Sequence, residues 1–103
     1  FSNGGCPLMN AATEADDSFP ALKKQVKTSF DVWMAKISEV IMQGQHTGEI
    51  YKKVNAKEYA SLFVMLIEGG ILLSKTIGDQ SYLNQALDKV SHMIDYELTI
   101  LPS

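Results

Sequence analysis

The side chains able to do chemistry are few and scattered: one cysteine, Cys6, two histidines, His46 and His92, and carboxylates along otherwise apolar stretches. Cys6 with either histidine could be assembled into a nucleophile and its base. No nucleophile elbow, oxyanion loop or orienting carboxylate has recognisable spacing around them, so no enzyme is expected. His46 stands three residues before Glu49, and Asp16 adjoins Asp17, without any H-x-x-x-H or C-x-x-C spacing. These read as surface polar residues, and neither a metal nor a cofactor is expected. Glu68 is the most unusual carboxylate, because it interrupts the most apolar run of the chain. It could meet a partner or ligand cation in a desolvated site. The favoured reading puts it on a thin wet strip with Lys57, Ser61 and Lys75, which share one side of a helix.

That helix organises everything else. From Ala60 to Leu73 the chain reads ASLFVMLIEGGILL, in which only Ser61 and Glu68 carry polar side chains. A surface helix needs one apolar stripe, and this one offers two. Phe63, Leu66, Gly70, Leu73 and Ile77 recur along one side; Leu62, Met65, Gly69, Leu72 and Thr76 form the neighbouring side. One stripe should meet its own chain and the other a second copy. The first is taken as the partner-facing one, because Gly70 lets another backbone approach. A membrane span is the competing reading; it is set aside because spanning takes about 18 to 20 uninterrupted apolar residues and Glu68 breaks the run.

Gly4 and Gly5 mark a loop, Pro7 suits a first helical turn, and the helix formers after it run to about Asp16. Ser18 or Phe19 then caps a long amphipathic helix from Pro20 to about Gln45, with Leu22, Val26, Phe30, Trp33, Ile37, Val40 and Ile41 along one side. Gly44 and Gly48 are candidate terminators, and residues 45–54 reverse the chain. Asn55-Ala56-Lys57-Glu58 fits a capping box that starts the organising helix, and Gly78 ends it. Asp79 caps a last helix whose stripe is Leu83, Ala86, Leu87, Val90, Met93, Ile94, Leu98 and Leu101, with Pro102 as its stop. Period-2 runs, internal repeats and low-complexity tracts are missing from the sequence. The expected class is all-α, a bundle of about four helices in a single domain of 103 residues.

A net charge of −3 argues against a nucleic-acid surface on this chain. The cluster Lys23, Lys24 and Lys27 reads as a solvated face. A lone cysteine excludes an internal disulfide and suits a reducing cytosol, and no secretory signal is visible at this start. Phe1 is not an initiator methionine, which leaves room for sequence upstream.

Taken in order, GGCPLMNAATEADD (residues 4–17), the long helix with Phe30 and Trp33, GEI (residues 48–50), EGGILLSK (residues 68–75) and the Gly78-Asp79 junction resemble the C-terminal regulatory domain of TetR/AcrR-family transcriptional regulators. The resemblance covers nearly the whole chain. It implies a cytoplasmic bacterial homodimer in which the last two helices pack against the same two of a partner as a four-helix bundle. The interface would then add Leu83, Leu87, Val90 and Ile94 to the stripe already described. It implies a small apolar effector bound among the inner helices. DNA would be contacted only through an N-terminal helix-turn-helix domain, which these residues do not include, and no membrane is involved. By the same resemblance Cys6, Met9, Asn10 and Thr13 face Phe30, Trp33, Met34 and Ile37 across the pocket. Aromatics and Met make adaptable apolar walls, with Asn10 and Thr13 able to orient a ligand. The periodicity alone reads these same residues first as ordinary core. The alternative function is a helical dimerisation or protein-interaction module with no small-molecule pocket.

Overall fold

The computed structural model describes residues 20–100, which form three α-helices and a closing π-helical turn. The expected helix near Cys6 to Asp16, and with it Cys6, Met9, Asn10 and Thr13, lies outside the described residues, as do Leu101 and Pro102. Helix α1 runs Pro20–Thr47, α2 runs Ala56–Ile77 and α3 runs Ser81–Met93, followed by the π turn Ile94–Leu98. Helix α2 packs against both α1 and α3, so the most apolar element occupies the shared position.

The helix ends follow local chemistry. Gly48 and Gly78 take left-handed backbone conformations, with φ of 86° and 80°. Each is followed by an N–H that reaches a carbonyl five residues back, Glu49 to Gly44 and Asp79 to Ser74. This is the turn glycine makes at little steric cost after a helix. Gly44 instead lies inside α1, half-buried against Ile50. At the start of α2 the Asn55 side chain accepts the Glu58 N–H at 3.1 Å, which satisfies one orphan donor.

Helix α3 begins with shared help. Asp79 accepts the Ser81 N–H at 2.9 Å, and Ser74 Oγ, from α2, accepts the Leu83 N–H at 2.9 Å. The bond from Ser81 holds the Asp79 carboxyl below its ordinary 3.8. The last helix differs from the sequence expectation, which carried its stripe unbroken past Leu98 to a stop at Pro102. Its α-helical pairing ends at Met93 and the Thr99 N–H returns to Ile94 O in a wider turn. The extra residue re-aims Leu98, which becomes almost completely buried, and leaves Thr99 paired with Ile50. Tyr51 N–H donates to Leu98 O and Ile100 N–H to Glu49 O, so the interhelical loop and the end of the chain close on each other. Gln45 secures the same loop by donating to Tyr51 O and Val54 O.

The core lies beneath this closure. Ile41, Ala56, Phe63, Met93 and Leu98 form its buried centre, with Ile37, Val54, Leu66 and Val90 packed around them. Tyr59 meets Phe63 edge-on at 6.0 Å and donates to Glu97 Oε1 at 2.7 Å.

Two expectations for stability follow. A methyl group on Gly70 would sit 2.9 Å from Ala86 Cβ and 3.2 Å from Tyr82 O, inside normal contact. Gly70→Ala should therefore push α2 and α3 apart and lower the subunit's unfolding free energy by about 1–3 kcal/mol in urea titrations. For Tyr59, the hydrogen bond to Glu97 above all, then partial burial and the Glu97 and Glu58 charges, raise the phenol above its ordinary 10.0. A raised pKa contributes stability that is complete below the unfolded value and is lost as pH rises through the folded one. The stability of the parent over Tyr59→Phe should stay level to about pH 9 and fall above about pH 10.

Candidate functional site

The organising helix divides its circumference between α1, α3 and an open side. Phe63, 5% exposed, and Gly70 are taken up by the chain's own packing, Gly70 against Ala86 and Leu83 of α3. These two were expected to face a partner, and the structure corrects that. The close backbone approach that Gly70 permits is used within the subunit. The neighbouring side stays open at Leu62, Leu72 and Met65, the last 62% exposed, and Leu73 and Ile77 of the expected partner-facing stripe are exposed as well, at 44% and 56%. Leu66 is half-buried at the boundary.

Between this open side and α3 lies a groove of about 790 Å³. Leu66, Gly69, Gly70 and Ala86 form its floor, Met65 and Leu73 its walls, and Tyr82, Gln85, Lys89 and His92 its far rim. An apolar floor inside a polar rim is the anatomy of a protein interface. His92 rests on the Tyr96 ring at 4.6 Å at one end. The four expected interface residues of the last helix do not line this groove. Leu83 and Val90 are half-buried, Val90 on the core, while Leu87 and Ile94 are exposed. Leu87 lies two residues, about 160° round the helix, from Gln85, so it is away from the groove. Sequence reasoning missed Gln85, Lys89 and His92, whose polarity reads as solvated surface; Met65 stood in the stripe assigned to the chain itself.

The effector-wall residues separate likewise. Phe30 and Trp33 are half-buried and stacked, their rings 6.5 Å apart and 21° from parallel. Ile37 turns instead onto the core cluster, because it shares the inner side of α1 with buried Ile41. Met34 lines a second groove of about 460 Å³ with Ala35, Ser38, Met42 and Lys57. Ser38 is buried there and its Oγ has no hydrogen-bond partner.

Glu68 corrects the reading of a wet strip. Only 4% exposed, it lies in the interior, and its Oε2 has no hydrogen-bond partner. The strip is wet only at its ends, where Lys57 and Lys75 are exposed. Helical periodicity places all three on one side but cannot say what covers the middle. Among the described residues no group of three His, Cys, Asp or Glu side chains could hold a metal ion. His46 is exposed at the end of α1, and His92 belongs to α3.

Length does not exclude a membrane for α2, contrary to the sequence argument. Its 22 residues, with mean hydropathy 1.6, are long and apolar enough to cross one. Helices α1 and α3 nevertheless pack on it, each along one flank.

Comparison with known proteins agrees with this architecture. The chain superposes on a TetR transcriptional regulator from Chloroflexus aurantiacus J-10-FL with a TM-score of 0.90 and 29% identity, covering 94% of this chain and 49% of that one. A TetR-family regulator from Cytophaga hutchinsonii shares the fold, with a TM-score of 0.89 at 24% identity over 95% of this chain and 48% of that one. The chain thus spans about half the length of these solved regulators. Among curated proteins no match was found. Residues 1–90 match the family model described as "Tetracyclin repressor-like, C-terminal domain". With the match running over most of an all-α chain that superposes closely on two such regulators, this protein belongs to the TetR family, as its C-terminal domain.

Proposed function

We propose that this chain is the effector-binding and homodimerisation domain of a cytoplasmic bacterial TetR-family repressor, a regulator and not an enzyme. Operator binding is assigned to the part of such regulators that lies outside the match, since the net charge of −3 gives this chain no electrostatic claim on DNA. A small effector held among the inner helices would shift the geometry of the dimer and so release the operator.

The observation that carries this reading is the open apolar side of α2 beside the groove with α3. Covering the exposed parts of Leu62, Met65, Leu72, Leu73 and Ile77 contributes about 1 kcal/mol each, roughly half of what a fully buried side chain gives. Two copies related by a two-fold axis present the same strip to each other, about 10 kcal/mol gross. Association costs about 4–15 kcal/mol, so the strip alone is marginal and the α3 rim must add to it. Gly69, with open space above its Cα, marks where the facing helices approach most closely.

The second reading, dimerisation without an effector, is favoured by one observation: Ile37, expected as a pocket wall, is used by the core. A thermal-shift screen with small apolar compounds separates the two. An effector at 100 times its dissociation constant should stabilise the chain by about 2.7 kcal/mol, and a screen without responders favours the second reading. Dimerisation is tested by sedimentation velocity at micromolar concentration, where the parent should be a dimer. Leu73→Glu should weaken that dimer by about 100-fold or more, since a desolvated carboxylate costs at least 2–3 kcal/mol, while circular dichroism stays unchanged because Leu73 is exposed within the subunit. A monomeric parent would remove the dimer from the proposal.

A further inference from the structure

Glu68 is the least expected side chain in the interior. It stands in a run of apolar residues on α2, between Ile67 and Gly69 and one turn from Val64 and Ile71. It is 4% exposed, its Oε2 has no hydrogen-bond partner, and no described lysine forms a salt bridge with it. The other unpartnered buried side-chain oxygen among the described residues, Ser38 Oγ, belongs to a neutral hydroxyl. Leaving a carboxylate without donors in an apolar interior is far more costly than leaving a hydroxyl, so Glu68 is where a partner is most strongly required.

The position of Glu68 says where that partner would come from. Lys57 and Glu68 are 11 residues apart, three turns of helix, and lie within about 20° of each other round α2. Lys57 contributes to the groove that Met34, Ser38 and Met42 of α1 line, so Glu68 continues the side of α2 that meets α1. Round the helix it stands about 120° from Leu62 and about 100° from Gly69 of the open strip but only about 60° from Met65 and about 40° from Leu72, and its burial within the subunit, at 4% exposure, is what separates it from a second copy docked there. A second copy docking on that strip would leave Glu68 without its partner.

We propose that Glu68 is the anchor of the effector site and that the effector is an apolar molecule carrying a protonated amine, whose N–H donates to Oε2. This rests on the effector-binding reading above and narrows its ligand from apolar to cationic amphiphilic. A charged donor is selected over a neutral one because a charge-assisted bond in a water-excluded site is the stronger of the two. The surrounding apolar side chains would take the body of the molecule, and a neutral analogue of equal size would leave the carboxylate as it stands now.

The test is isothermal titration calorimetry on the full chain at neutral pH with three matched pairs: benzylamine and benzyl alcohol, naphthylmethylamine and naphthylmethanol, anthracenylmethylamine and anthracenylmethanol. In at least one pair the amine should bind at least roughly 30-fold more tightly than the alcohol. Glu68→Gln should abolish that preference while leaving the alcohol's affinity within about threefold. Glu68→Gln should also melt no lower than the parent, because it replaces an unpaired buried carboxylate with a neutral amide. Glu68→Met, which removes the carboxylate and any amide donor together, should give the same loss of preference. Alcohols that bind as well as amines, or an amine preference that survives in Glu68→Gln, would overturn the anchor and leave the effector pocket standing. Binding by no member of any pair would count against the pocket itself and take the anchor with it. A Gln variant that melts several degrees lower would show that the carboxylate already has a structural role, and would overturn the proposal as well.

Discussion

The close approach of α2 and α3 at Gly70 sets the rest of the architecture. With no side chain at that position, Ala86, Leu83 and the Tyr82 carbonyl come to within van der Waals distance of the α2 backbone. Ser74, one turn further on, then reaches across to the Leu83 N–H and supplies one of the bonds that the start of α3 cannot make for itself. Once these two helices are fixed side by side, α2 has committed one flank to α3 and another to α1. The remaining flank is still apolar. A helix this uniformly hydrophobic needs cover on all sides, and among the described residues no further element provides it.

The far end of the molecule is closed by a different device. A run of residues continuing α3 regularly would carry Leu98 out of register with the core. Widening one turn to the π form returns it to the interior beneath Phe63 and presents Thr99 to Ile50. The loop 48–55 is thereby held by the chain's last described residues and by Gln45 as well, so that the junction of α1 and α2 is stiff. Packing at this end is rigid, and closely packed elements transmit a displacement and do not absorb it.

Buried polarity is used sparingly, and the contrast between two serines is instructive. Ser74 Oγ has a backbone donor and helps define the α2–α3 contact. Ser38 Oγ and Glu68 Oε2 have none. Satisfied polar groups specify one arrangement, whereas unsatisfied ones store a cost that a ligand can relieve.

How much of this was legible beforehand depended on the range of the interaction. The sequence by itself determined the helices, because their causes are local: Asn55 against the Glu58 N–H, Gly48 and Gly78 where left-handed backbone is needed, and 3.6-residue periodicity between. It also determined that α2 carries two apolar stripes, and the order of its motifs was enough to suggest the family. Only the tertiary structure decided which stripe belongs to the subunit and which is left open. Phe63 and Gly70 look identical to Met65 and Gly69 on a helical wheel, and the difference is made by Ala86 and Leu83 against Gly70 and by Ile41, Met93 and Leu98 around Phe63, all distant in sequence. The same holds for Glu68, which periodicity puts in line with two exposed lysines and packing puts indoors. The widened turn at Ile94–Leu98 was likewise invisible, because its cause is the pairing of Thr99 with Ile50 across half the chain. Hydrogen bonds within a turn can be read from neighbouring residues. Choices between faces depend on what arrives from elsewhere in the fold.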